Sequence, residues 1–142
     1  PADVDRDCAD FGWRGMRGHA RKTWTMKDDA SDKLINFPFS EPRVSDYRGG
    51  DVYYYDWSGD YFKDLLANAL EAKGDLKWLL PADVNPLYLE HLKGESKVEI
   101  RSGVWAWQEV KSNAPNHGLD TSAMMLCMAT IANVVRYTPV KD

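Results

Sequence analysis

Hydrophobic and polar positions follow two recognisable periods after residue 51. The run from Val52 to Trp57 is β-branched and aromatic, which predicts a buried strand. Apolar residues then recur at positions 62, 65, 66, 69 and 70, the spacing of an amphipathic helix. Asp60 is the predicted N-cap of this helix, and Gly74 is its predicted stop. The pattern therefore predicts a strand that leads within a few residues into a helix.

A second helix and a hairpin are predicted further along the chain. Pro86 fits the first turn of a helix. Residues 97–101 alternate between polar and apolar, and residues 104–108 return the chain, as in a hairpin. The last helix, from about Leu119 to Val135, is apolar on nearly all sides and is expected to pack across an interior strand at Val52–Asp56. A short apolar segment at residues 76–80 precedes Pro81. With this segment, the order strand, helix, strand, helix, hairpin, helix favours an α/β layer architecture.

The first fifty residues have an irregular pattern, rich in charged and turn-forming residues. One short strand is predicted at residues 23–26, followed by a loop-rich stretch. The chain has 142 residues, of which 44% are hydrophobic and 28% charged, as expected of a single folded domain over 1–142. It contains no run of about 18 apolar residues that would predict a membrane span. Because it begins without Met, a fragment or processed piece is expected.

The charge balance limits the classes of partner. A net charge of −4 excludes a binder whose whole surface is basic, but it leaves room for an enzyme that holds acidic metal ligands and acts on nucleic acid. One basic segment stands out, although a solvated surface is the commoner reason for such a segment. It contains Arg14, Arg17, His19, Arg21, Lys22 and Lys27. The two cysteines, Cys8 and Cys127, show no disulfide or zinc spacing, which favours a reducing compartment.

Because the common catalytic motifs are absent, carboxylates are the remaining candidates for reactive side chains. The sequence contains no GxxxxGK phosphate loop and no HExxH, GxSxG or CxxC motif. Asp10 ends a short apolar stretch, and Asp120 lies in the first turn of the most apolar helix. For an acid in the first turn of a helix, such as Asp120, a favourable interaction with the helix dipole is the commoner reason. Brought together, with Asp56 as a third member, these acids would form an oxygen site of the type that binds Mg²⁺ or Mn²⁺.

Several motifs occur in an order that is typical of one protein family. An Asp-x-Gly-Trp-Arg motif spans residues 10–14, and Asn116-His117-Gly118-Leu119-Asp120 opens the long apolar helix. Between them, Lys63-Asp64 on a helix, the stretch 88–95 and Trp105 agree in order and spacing. With these motifs the chain resembles the C-terminal nuclease domain of phage terminase large subunits, particularly the lambda gpA-like group. The best-matched part is residues 52–135.

The resemblance implies an RNase H-like mixed sheet flanked by helices. It also implies a metal-dependent endonuclease that cleaves double-stranded DNA during genome packaging, with two Mg²⁺ or Mn²⁺ ions. Asp10 and Asp120 would be the catalytic metal ligands, with Asp56 as an addition. DNA phosphates would contact four basic residues, Arg14, Arg17, Lys27 and Lys63. The implied partners are the terminase ATPase motor, the small terminase subunit and the portal, in the cytoplasm of an infected bacterial host.

The start of the chain departs from the family. Only seven residues precede Cys8, too few for the first strands of an RNase H-like sheet, so either this segment is missing or Asp3 and Asp5 take over the role of its aspartate. An alternative function is therefore a non-catalytic assembly or DNA-docking module with the same fold. A carbohydrate-binding surface would use the six Trp and seven Tyr, but aromatic residues on strands are more often core or cross-strand pairs.

Overall fold

The computed structural model describes residues 14–47 and 50–136, which fall into two compact units. The first unit covers the described residues up to Ser58, and the second covers Gly59–Arg136. Each unit has its own secondary structure and its own contacts. The assignment of a single nuclease-like domain to residues 1–142 stays a prediction.

Within its described residues, the first unit consists of five strands and their connections. In chain order they are β1 (Gly15–His19), β2 (Trp24–Lys27), β3 (Leu34–Phe37), β4 (Arg43–Tyr47) and β5 (Gly50–Ser58). Three of them form a mixed sheet in the order β1-β5-β4, in which β5 pairs parallel with β1 and antiparallel with β4. The predicted aromatic strand is therefore interior, as expected, and it buries Val52 and Tyr55.

The region before residue 48 is more regular than the sequence pattern suggests. The predicted strand at residues 23–26 is confirmed as β2, which pairs with β3 in an antiparallel hairpin. Strands β1, β3 and β4 are additional. All three are short, β1 and β4 contain glycine, serine or charged residues, and each is ordered by hydrogen bonds to a neighbouring strand. Their own hydrophobic pattern carries little of that information, since it does not show the partner strand, which for β1 lies beyond three other strands in the chain.

The second unit contains the helices and the second hairpin. In chain order its elements are α1 (Gly59–Leu70), α2 (Pro86–Leu92), β6 (Glu95–Arg101), β7 (Val104–Glu109) and α3 (His117–Ile131). The predicted hairpin is confirmed, and Gly103 takes a positive φ of 73° at its turn. The predicted helix at Pro86 is confirmed too, with the Asn85 side chain accepting a hydrogen bond from the Leu87 amide. The described chain is thus α/β, with a mixed sheet and three helices, consistent with an RNase H-like fold.

Helices α1 and α3 pack on each other and form the core of the second unit. The predicted apolar stripe of α1 buries Phe62, Leu66 and Ala69. Facing residues of α3 are also buried, and they include Leu119, Ala123, Leu126 and Cys127. The helix α1 begins at Gly59, so Asp60 lies in its first turn rather than at the N-cap. Within the described residues, no helix is long and apolar enough to cross a membrane.

The apolar character of α3 does not make it buried on all sides. It ends at Ile131, earlier than predicted, and Met125 on its outer face is 62% exposed. Its buried residues lie on the face that packs against α1 and α2. The expectation that this helix packs across the Val52–Asp56 strand stays a prediction. On the inner face, burial raises the pKa of the free Cys127 thiol to about 12.

A close backbone approach explains the glycine after α2. A Cβ atom built on Gly94 would lie 2.0 Å from the carbonyl oxygen of Pro115, so Gly94→Ala must displace main chain. We expect this variant to lower the free energy of unfolding by about 2 kcal/mol, as overpacking does. Gly59→Ala is the matched control, since nothing lies within 4 Å of its Cβ. Thermal melts of both variants measure the effect, and equal melting temperatures would contradict it.

Candidate functional site

Asp120 is positioned by the start of α3. Its amide donates to the carbonyl of Asn116 at 3.0 Å, in the first hydrogen bond of the helix. The amide of Gly118 donates to Nδ1 of His91 at 3.0 Å, which ties this helix start to α2. One turn later, the hydroxyls of Tyr88 and Ser122 share a hydrogen bond of 2.8 Å. The Asp120 carboxylate is thus held on a helix end that is fixed from two directions.

Three elements of the second unit converge on a carboxylate–lysine cluster, formed by Lys63, Glu95, Asn116 and Asp120. The Lys63 ammonium group lies 2.7 Å from Oε2 of Glu95 and 2.9 Å from Oδ1 of Asp120. Asn116 donates from Nδ2 to the other Glu95 oxygen at 2.6 Å. The side chains of Lys63 and Glu95 are 12% and 8% exposed, whereas that of Asp120 is 37% exposed. One end of the cluster is therefore buried, and the Asp120 end is open to solvent.

The ionic state of the cluster follows from its contacts. Burial disfavours the charge on Lys63, but its hydrogen bonds to Glu95 and Asp120 outweigh burial and raise the pKa of the ammonium group. Lys63 is therefore charged at neutral pH. With two carboxylates and one ammonium, the cluster carries one net negative charge and already holds one cation between its acids.

The candidate metal ligands of this cluster are its two carboxylates. Carboxylate oxygens are the ligands that Mg²⁺ and Mn²⁺ favour, and Asp120 is the acid of this cluster with the most exposed side chain. The described residues contain no group of three or more His, Cys, Asp or Glu side chains that could hold a metal. Asp10 lies outside the described residues, as do Asp3 and Asp5. The predicted convergence of Asp10 and Asp120 on one cleft therefore stays a prediction.

Asp56 lies in the first unit, in a cluster with two arginines. Its Oδ1 accepts from Nε of Arg17 at 2.7 Å, and its Oδ2 lies 2.8 Å from Nε of Arg43. The hydrogen bond from Arg17 outweighs the effect of burial and lowers the pKa of Asp56, so this carboxylate is ionised at neutral pH. Its assignment as a metal ligand stays a prediction, and any metal there would lie beside two guanidinium groups.

The predicted DNA-binding residues have different surroundings. The Arg14 guanidinium lies over the ring of Tyr53, 5.5 Å from its centroid, and Lys27 pairs with Asp32 on the surface at 2.5 Å. The Arg17 side chain is 58% exposed. Lys63 is the exception, because it is mostly buried between carboxylates. For all four residues, contact with DNA stays a prediction.

Three residues of these clusters were not singled out individually from sequence. Glu95 and Asn116 lie inside the stretches that carry the family resemblance, residues 88–95 and 116–120, so the resemblance is the signal that points to them. Arg43 had no such signal, since it follows Pro42 in a stretch predicted as loop. Its proximity to Asp56 arises from the pairing of β4 with β5.

A family model for the endonuclease domain of the terminase large subunit gpA matches residues 11–138. The match covers most of the chain, including described parts of both units and the whole carboxylate–lysine cluster. The described fold defines an α/β domain, and the family match gives its class as an endonuclease domain. The chain belongs to the gpA endonuclease-domain family of terminase large subunits. A search of curated proteins and a search of solved structures each found no significant match.

Proposed function

We propose that this chain is the metal-dependent endonuclease domain of a phage DNA-packaging terminase large subunit and that it cleaves double-stranded DNA during genome packaging. The observation that carries the proposal is the family match over residues 11–138. The carboxylate–lysine cluster supports it, because the cluster places a partly exposed carboxylate, Asp120, at a rigid helix start. In the proposed site, Asp10 and Asp120 hold the metal.

The residues around Asp120 organise the site. Bound Mg²⁺ or Mn²⁺ would supply an activated water and stabilisation of the leaving oxygen. Lys63 orients Asp120 through Oδ1, and Asn116 and Lys63 together fix both oxygens of Glu95. Because these partners set the rotamer of Asp120 in advance, little ordering remains to be done when metal and DNA bind.

DNA is held by basic side chains in this proposal. Arg14, Arg17 and Lys27 contact phosphates, and Lys63 contributes at the site itself. With a net charge of −4, the isolated chain binds duplex weakly and with strong dependence on salt. The ATPase motor, the small terminase subunit and the portal then hold the DNA in place. This assembly works in the cytoplasm of the infected host.

Cleavage of supercoiled plasmid tests the proposal directly. We expect the chain to convert plasmid to nicked and linear forms in Mg²⁺ or Mn²⁺ and to leave it intact in EDTA, since the carboxylates act only through a divalent ion. A gel mobility assay on a linear duplex runs in parallel. DNA binding without cleavage in either metal would contradict the enzymatic proposal and favour the non-catalytic docking module.

A further inference from the structure

Two arginines and one buried acid share a face of the mixed sheet in the first unit. Arg17 on β1 stands opposite Asp56 on β5, and Arg43 on β4 stands opposite Tyr54 on β5. Tyr54 and Asp56 are two positions apart on one strand, so their side chains point to the same face. The outer strands therefore place one arginine on each side of the central strand, above the same two residues.

Contacts with Asp56 fix both guanidinium groups. Arg17 donates from Nε to Oδ1 at 2.7 Å and from Nη2 to Oδ2 at 3.2 Å, which is a bidentate pair. Its guanidinium carbon also lies 4.8 Å from the centroid of the Tyr54 ring. Arg43 contributes its Nε to Oδ2 at 2.8 Å. An arginine has five N–H donors, so most donors of Arg43 and several of Arg17 are not bonded to Asp56.

Charge and exposure are distributed so that the cluster attracts anions. The Asp56 side chain is 3% exposed, whereas those of Arg17 and Arg43 are 58% and 46% exposed. One buried negative charge thus underlies two exposed positive charges, which leaves one positive charge in excess. Paired guanidinium groups present parallel donors that match the oxygens of a phosphate group.

We propose that Asp56 is a positioning residue that holds Arg17 and Arg43 as a preorganised phosphate-binding pair for the DNA backbone. The inference rests on the proposed function, because the phosphates are those of the DNA substrate. It adds Arg43 to the DNA contacts and gives Asp56 a role through the arginines instead of through a metal. Both oxygens of Asp56 are already engaged by guanidinium groups, which is consistent with this role.

The direction in which one substitution changes DNA affinity distinguishes positioning of the arginines from a simple effect of net charge. Asp56→Asn removes a negative charge, so charge alone predicts tighter DNA binding, whereas loss of positioning predicts weaker binding. We expect about tenfold weaker binding to a fluorescent duplex in EDTA, as for loss of a charged hydrogen bond. Glu71→Gln is the matched control, because it removes the same charge from an exposed ion pair with Lys73, which is not among the proposed DNA contacts. It should bind as tightly as the parent or more tightly.

Arg43→Gln tests the pair without changing a buried residue. We expect it to weaken DNA binding about tenfold. The slope of log K against log salt is negative, and its magnitude should fall by about 0.9, the value for one lost phosphate contact. Asp56→Asn should reduce DNA affinity less when Arg43→Gln is already present than when it is made alone, because the acid acts through the arginines. Thermal melts check folding, and Arg43→Gln carries the test if Asp56→Asn does not fold.

The outcomes keep this inference apart from the proposed function. Parent-like affinity and salt slope in Arg43→Gln would overturn the inference, and so would Asp56→Asn binding DNA as tightly as Glu71→Gln. Plasmid cleavage by the parent is a separate measurement, so the nuclease proposal would stand after either result. An Asp56→Asn variant that keeps its DNA affinity but loses metal-dependent cleavage would return Asp56 to the metal site. No binding of duplex by the parent would overturn both proposals.

Discussion

Asp120→Asn is expected to reduce Mg²⁺- or Mn²⁺-dependent plasmid cleavage to the metal-free background while the fold stays intact. A neutral amide cannot supply the negative charge that balances a divalent ion. The structural cost is small, because the Asp120 side chain is 37% exposed and its pair with Lys63 lies at the open end of the cluster. We expect the free energy of unfolding to fall by about 1 kcal/mol. Plasmid nicking with each metal and a thermal melt measure the two effects.

Asp60→Asn is the matched control for this variant. Asp60 also lies in the first turn of a helix, α1, so it shares the interaction with a helix dipole but lies outside the carboxylate–lysine cluster. It should retain parent-like cleavage. Equal cleavage by Asp120→Asn and the parent would reject Asp120 as a ligand.

Lys63→Met is expected to cause the largest loss of stability among the variants considered, about 3 kcal/mol. Methionine preserves the apolar stem of lysine but leaves the Glu95 carboxylate, 8% exposed, without its ammonium partner. The raised pKa of Lys63 means that the pair stabilises the fold fully below the ordinary lysine pKa of 10.5 and loses this contribution above it. The stability gap between parent and variant should therefore be constant near pH 8 and close as the pH rises past 10.5.

Lys97→Met provides the comparison. Lys97 pairs with Asp64, but these side chains are 38% and 39% exposed, and Asp64 keeps a hydrogen bond of 2.9 Å from Nε1 of Trp107. A partly exposed pair of this kind contributes at most about 1 kcal/mol. Urea titrations of both variants at several pH values supply the measurement. Similar losses for the two variants would show that burial of the Lys63 pair has no special energetic role.

The elements predicted from sequence are those whose periodicity reflects burial. The stripe of α1 is buried in the second unit and the aromatic run of β5 in the first, and the hairpin of β6 and β7 has a glycine at its turn. Strands β1, β3 and β4 have weak hydrophobic periods, since all three are ordered chiefly by pairing with β5 or with β2. The apolar sequence of α3 does not reveal which of its faces is buried, because composition does not indicate which face a neighbouring helix covers.

The residues of the candidate site also differ in whether the sequence could predict them. Asp120 could be predicted because it lies in a motif at a recognisable helix start. Its partners Lys63 and Glu95 come from a helix and a strand that are 57 and 25 residues distant in the chain, so only tertiary packing unites them. Arg43 could not be predicted from sequence, since its contact with Asp56 depends on the register in which β4 pairs with β5. Residue type suggests a chemistry, and the register of the sheet decides which groups can act together.

The buried thiol of Cys127 makes the second unit its own reporter of local opening. A thiol reacts with alkylating reagents as the thiolate, and this side chain is both fully buried and held with a pKa of about 12. Modification at neutral pH therefore requires that α3 separate from α1. With Cys8 replaced by serine, the rate of labelling measures how often the core around Cys127 opens. Metal or DNA that binds at the start of α3 would slow the labelling, by a factor that grows with its affinity for the folded helix.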